Sequence, residues 1–180
     1  VNTNVSYNAI GCVYKKVSGV LRVAKQIVTS EYIWDNIRLK GGAYGGGCGF
    51  LNGNYFYMYS YRDPNVNKSY EVFKNVGNYL SEIDMDQKHL NRFIIGAVNV
   101  EDAPLKNNRI NSIVLRRHYN GVTQERLDLR REEMLSVSIN YIREVGQELT
   151  TAMENIVMST VSDQTSIEKS ELFKNIIVVK

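Results

Sequence analysis

The feature that most constrains this chain is the run Asn36-Ile-Arg-Leu-Lys-Gly-Gly-Ala-Tyr-Gly-Gly-Gly-Cys-Gly-Phe50. Gly41, Gly42, Gly45, Gly46, Gly47 and Gly49 fall within nine positions and make up six of the chain's 13 glycines. Glycine loses more backbone entropy on folding than any other residue, so such a cluster belongs where the chain needs positive φ or the close approach of another group. Arg38 and Tyr44 flank the first glycine pair. The pattern predicts a helix ending near Lys40, a tight turn at Gly41-Gly42 and a strand leaving at Ala43, with guanidinium and phenol on one edge of the fold.

Its 180 residues, 43% hydrophobic, predict one domain with a sizeable core. The net charge of +3 comes from dispersed Lys and Arg. The densest places are Arg116-Arg117 and Arg126 to Arg131, and the latter alternates with acids, the pattern of a solvated helix face; nucleic-acid binding is disfavoured. Cys12 and Cys48 have no second Cys or His at metal-ligand spacing and read as buried, reduced thiols. No apolar run approaches the roughly 20 residues needed to cross a bilayer, so no membrane partner is expected. Val1 to Ile10 lacks the pattern of a signal peptide, and with no initiating Met the sequence reads as a piece of something longer.

Ser6 to Val13 reads as a half-buried strand, and Val17 to Val28 as a helix capped near Ser18. After Thr29-Ser30 a separate helical stretch delivers Arg38. Strands are expected over Ala43 to Leu51 and Tyr55 to Tyr61, joined by a hairpin at Asn52-Gly53. The second strand puts Tyr55, Tyr57, Tyr59 and Tyr61 on one face, expected to pack under helices. Asp63 and Pro64 should start a helix carrying Val66, Tyr70, Phe73, Val76 and Leu80, and Asp84 should cap the next, which Pro104 ends. Helices are predicted over Asn107 to Tyr119, Thr123 to Leu135, Ser138 to about Leu149 and Ser166 to Leu172. Asn155 to Val161 is expected to return to the sheet, and Ile176 to Val179 to form an extended tail. The order predicts an α+β fold, a mostly antiparallel sheet covered by helices on one face.

Zinc finds no pair of imidazoles one helical turn apart, since His89 and His118 are the chain's two histidines. The glycines do not form a phosphate cradle, because a helix leads into them and a strand leaves them, the reverse of the order required. Cys48 lacks a placed base. A supporting role remains: Arg38 can offer a fork of donors to peptide carbonyls, and Tyr44 a hydroxyl to a developing oxyanion. The alternative, which pattern alone favours, pairs Arg38 with Asp35 or Glu31 and packs Tyr44 as a strand residue.

The run Trp34 to Gly45, then Ser60-Tyr-Arg-Asp-Pro64, Ile94-Ile-Gly-Ala97 and Arg130-Arg-Glu-Glu-Met-Leu135, resembles the last domain of the presequence-protease and falcilysin branch of the pitrilysin/insulysin zinc metallopeptidases. The resemblance implies one repeat of that metallohydrolase fold, the fourth of four domains closing around a peptide chamber. It places the zinc and its ligands in the first domain and leaves none in this chain. By position, Arg38 and Tyr44 match the pair that reaches across the chamber to the substrate backbone, with Gly41, Gly42 and Ala43 completing the substrate-binding turn. The implied partners are an unstructured peptide and the N-terminal half of the same enzyme; the implied address is an organelle. Alone, the chain is expected to be inactive and to self-associate through its docking face. The rival reading is a non-catalytic assembly or interaction domain of the same fold, as in processing-peptidase or respiratory core subunits.

Overall fold

A computed structural model describes residues 5–14, 18–51 and 54–178. Strands β1 (Ser6–Val13), β2 (Gly45–Leu51), β3 (Tyr55–Asp63) and β4 (Ile156–Val161) form one antiparallel sheet in the order β2-β3-β1-β4. The returning strand joins β1, as its β-branched run predicts, and the fold is α+β. Alternation buries Ile10, Cys12, Cys48, Phe50, Phe56 and Met58 on one face, where they meet the helices.

The other face departs from expectation. The tyrosines of β3 lie on the open side, with Tyr55 and Tyr59 51% and 39% exposed, rather than beneath helices. Their rings stack along the strand, Tyr57 to Tyr59 at 6.2 Å and Tyr59 to Tyr61 at 6.4 Å. Pairing sets Gly45 against Tyr61, Gly47 against Tyr59 and Gly49 against Tyr57. A Cβ on any of the three would meet its tyrosine side chain, ring or hydroxyl, at 2.9 Å or less, so the rings lie across the strand where side chains are missing. Close packing by tyrosine therefore accounts for half of the glycine cluster. Gly46 faces the helices instead, and its added Cβ would sit 2.7 Å from the Tyr59 carbonyl oxygen, which cannot swing aside. Gly46→Ala is expected to destabilise the fold by about 1 to 3 kcal/mol in urea denaturation, and a neutral result would refute this close approach.

Helix α1 (Gly19–Ile27) starts at Ser18, whose hydroxyl accepts from the Leu21 amide. It does not stop at Thr29-Ser30 but runs directly into a π-helical segment, Val28–Leu39. Val28, Ile33 and Ile37 recur at steps of five and four, and the wider winding keeps them buried together with Tyr32. The single helix expected after Pro64 is two, α2 (Asn67–Lys74) and α3 (Val76–Ser81), meeting at Asn75, although its five apolar positions are buried as predicted. Asp86 rather than Asp84 caps α4 (Gln87–Glu101), accepting from the His89 amide at 2.7 Å.

A 3-10 turn (Asn107–Arg109) leads into α5 (Ile110–Tyr119), and α6 (Gln124–Leu135) follows with Thr123 accepting from the Arg126 amide. The α6 cations are not all solvated: Arg130 is 7% exposed and donates to Glu101 at 2.8 Å. Helix α7 (Ile139–Ala152) starts after Ser138, which makes no side-chain cap bond, and α8 (Gln164–Ser170) closes the order. Residues 171–178 follow without a strand, and the predicted hairpin pair Asn52-Gly53 and Val179 lie outside the described residues.

Candidate functional site

The π-helical segment ends in a turn held by backbone bonds. Gly42 N donates to Arg38 O at 3.0 Å and Ala43 N to Ile37 O at 3.1 Å, while Gly42 adopts φ 77°. That left-handed value explains the glycine at position 42. Tyr44 N then donates to Arg62 O at 3.2 Å, which docks the turn on the far end of β3.

That end of β3 is bulged. Between the pairs Asn8 with Ser60 and Ser6 with Asp63, β3 carries one residue more than β1, and Arg62 sits at φ 49°. The bulge lets Arg62 point out while Asp63 turns in, fully buried. Asp63 does not cap a helix as expected. Its carboxylate accepts from Ser60 Oγ at 2.5 Å, Ser69 Oγ at 2.7 Å, Asn8 Nδ2 at 3.2 Å and the Asn65 amide at 2.9 Å. These four donors offset the desolvation of a buried charge. Asn65 in turn donates through Nδ2 to Gly41 O at 2.6 Å, so the acid at the bulge fixes the glycine turn through one intermediary.

Both residues singled out in the sequence reach solvent. Tyr44 is 62% exposed, tilted against Tyr61 at 5.6 Å. Arg38 does not take an acid from its own helix: its guanidinium carbon lies 4.1 Å from the Trp34 ring centroid, the neighbour one turn back. Stacking on the indole restrains the guanidinium of an Arg38 that is exposed to solvent. Glu31 is used elsewhere, accepting from Tyr79 and lying 2.8 Å from His89 Nε2. Gly42 is exposed, Gly41 half-buried and Ala43 buried, so Ala43 supports the turn and presents no side chain to a ligand. A groove of about 310 Å³ opens beside Gly41, between Asn36, Lys40, Asn65 and Lys68.

Arg62 escaped the sequence reading. Its guanidinium carbon stands 5.7 Å from the Tyr44 ring centroid, placing a second cation at this edge. The signal was present in Ser60-Tyr-Arg-Asp-Pro64, but nothing in spacing reveals a bulge.

The other candidate chemistry finds no support in the geometry. Burial pushes the Cys48 thiol up to about 11, the Thr29 hydroxyl only partly opposing it, which keeps the sulfur in its unreactive form. His89 stacks on Phe93 and His118 lies against Tyr119, and among the described residues no three His, Cys, Asp or Glu converge as a metal would require. Zinc, the metal of the resembling peptidases, does not fit the donors here.

The family profile described as the PreP C-terminal domain matches residues 2–166. The chain belongs to the presequence-protease C-terminal domain family. It is 31% identical over 185 residues to "Presequence protease 1, chloroplastic/mitochondrial" of Arabidopsis thaliana, a match covering 97% of this chain and 17% of that protein. "Protein HypA" of Clostridium perfringens is also 31% identical, over 96% of this chain and 18% of its own length. The chain thus spans less than a fifth of these relatives. Among solved structures, an inactive M16 peptidase domain from Pseudomonas fluorescens aligns with a TM-score of 0.65 at 10% identity, covering 89% of this chain and 41% of that one. Pitrilysin aligns with a TM-score of 0.64 at 14% identity, over 91% and 19%. Those two likenesses establish the fold, the one the sequence motifs implied.

Proposed function

We propose that this chain is the last, metal-free domain of a zinc peptidase, and that it holds an unstructured peptide by its backbone while another part of the same polypeptide supplies zinc and base. The observation that carries this reading is the outward presentation of two fixed donors, Arg38 on Trp34 and Tyr44 beyond the glycine turn, on an edge with no competing carboxylate bound to either among the described residues. The relatives' names, presequence proteases of chloroplasts and mitochondria, support the peptide class.

In this reading the zinc, held by another part of the polypeptide, would supply a polarising charge and an activated water. Tyr44 donates its O–H to the carbonyl oxygen as negative charge develops there, and Arg38 holds a neighbouring carbonyl so that the peptide cannot rotate away. The buried Asp63, through Asn65 and Gly41, keeps the two donors in register. The rest of the protein has surfaces to dock on: the open tyrosine face, and α5, where Val114, Leu115 and Tyr119 are more than half exposed.

Arg38→Ala in the full-length protein tests the assignment. Losing a charged hydrogen bond should lower kcat/KM by about 10- to 100-fold while bound zinc per molecule stays constant. Loss of zinc with activity would instead place Arg38 in the metal's support, and an unchanged rate would favour the rival reading of an assembly domain.

A further inference from the structure

The cations that look dispersed along the sequence converge in space. A groove of about 660 Å³ lies between α1, the C-terminal end of α4, α5 and the start of α6, and reaches the end of β2. Arg22, Lys106, Arg109, Arg116, Arg117 and Arg130 line it, against Glu101 as the one acid in its lining. The chain as a whole has 22 basic and 19 acidic residues, so a wall drawn at random would be close to balanced.

Glu101 cannot neutralise this set. One of its oxygens accepts from Arg130 at 2.8 Å, and the other stands 3.7 Å from Arg22 Nε, beyond hydrogen-bonding range. That Nε is buried with no hydrogen-bond partner among the described residues. Lys106, Arg109, Arg116 and Arg117 enter no ion pair among the described residues. A donor buried without a hydrogen-bond acceptor, beside a concentration of like charge, suits the groove to an anion.

The groove's other walls define the ligand. Phe50, Leu51, Leu105 and Ile113 give it an apolar floor, suited to the side chains of a peptide. Its aromatic side chain, Phe50, is 7% exposed and offers no face for stacked bases. Leu51 also ends β2, the strand that begins beside Tyr44. An extended peptide advances about as far per residue as the strand it accompanies, so a segment held at Tyr44 would reach the groove about six residues later.

We propose that this groove binds a carboxylate side chain of the peptide substrate, giving the protein a preference for chains that carry Asp or Glu about six residues from the bond held at Tyr44. The assignment rests on the peptide-holding role argued above and extends it to substrate choice.

The test uses the full-length protein and two peptides that differ by Glu or Gln at that distance from the cleaved bond, with the ratio of their kcat/KM values as the readout. At low salt the native protein should favour the Glu peptide roughly fivefold, falling toward parity as salt rises. Arg109→Gln combined with Arg116→Gln should bring the ratio near one; both side chains are exposed, so the fold should tolerate the change. Single variants should give intermediate ratios. Tyr44→Phe should slow both peptides alike and leave the ratio intact, which separates the groove from the donor pair. A ratio near one in the native protein, or one that survives the double variant, would overturn the proposal. So would a single-stranded oligonucleotide that competes more strongly than an acidic peptide of equal charge.

Discussion

Tyr44→Phe in the full-length protein is expected to lower kcat by about ten- to a thousandfold and leave the melting temperature where it was. The substitution removes one hydroxyl from a side chain that is 62% exposed, and no protein group loses a partner among the described residues. The phenyl ring keeps its contact with Tyr61 at 5.6 Å, so packing is preserved while a donor is lost. Because the hydroxyl acts on charge that develops only during reaction, the loss should appear in kcat more than in KM. A rate within twofold of the native one would leave Tyr44 a packing residue.

Asp63→Ala should have the largest effect on stability, about 3 to 5 kcal/mol by chemical denaturation. The change strips an acceptor from four donors at once: two hydroxyls, the Asn8 amide group and the Asn65 backbone amide. Ser60, Ser69 and Asn8 are themselves buried, so water cannot replace the carboxylate without opening the sheet end. Any protein that still folds should also bind peptide more weakly, since Asn65 would no longer be fixed against Gly41. A loss below about 1 kcal/mol would show that the network is ornamental.

Most of the architecture could be read from the residues because local chemistry and tertiary packing agree there. Alternation fixed β1 at both ends, Ser18 and Thr123 cap where predicted, and the β-branched run at Ile156–Val161 returned to the sheet. The misplacements occur where two local signals compete or where the cause is distant. Asp84 and Asp86 are equally good caps by type, and the choice falls to the helix register. Asp63 precedes a proline and looks like a cap, but a bulge one residue earlier turns it into the core. The β3 tyrosines are ambiguous because alternation separates two faces without saying which one the helices cover. Their glycine partners on β2 carried the answer, since a ring lying over a strand needs bare backbone.

The candidate site was legible to a different degree. Arg38 and Tyr44 stood out by their position around the glycine pair, but spacing offered Arg38 an acid, whereas Trp34 four residues back was the partner it took. Arg62 and Asn65 join the site through a bulge and a side-chain bond that span more than twenty residues of sequence. The cationic groove was invisible because its members are scattered from Arg22 to Arg130.

A structure of the full-length protein holding an uncleaved peptide tests the central claim most directly. The account predicts Tyr44 Oη about 3 Å from the carbonyl oxygen of the bond to be cut, Arg38 donating to a nearby peptide carbonyl, and zinc on the peptide's opposite side with no ligand from this chain. A peptide bound with Arg38 and Tyr44 both facing open solvent, or a zinc ion held by residues of this domain, would contradict it.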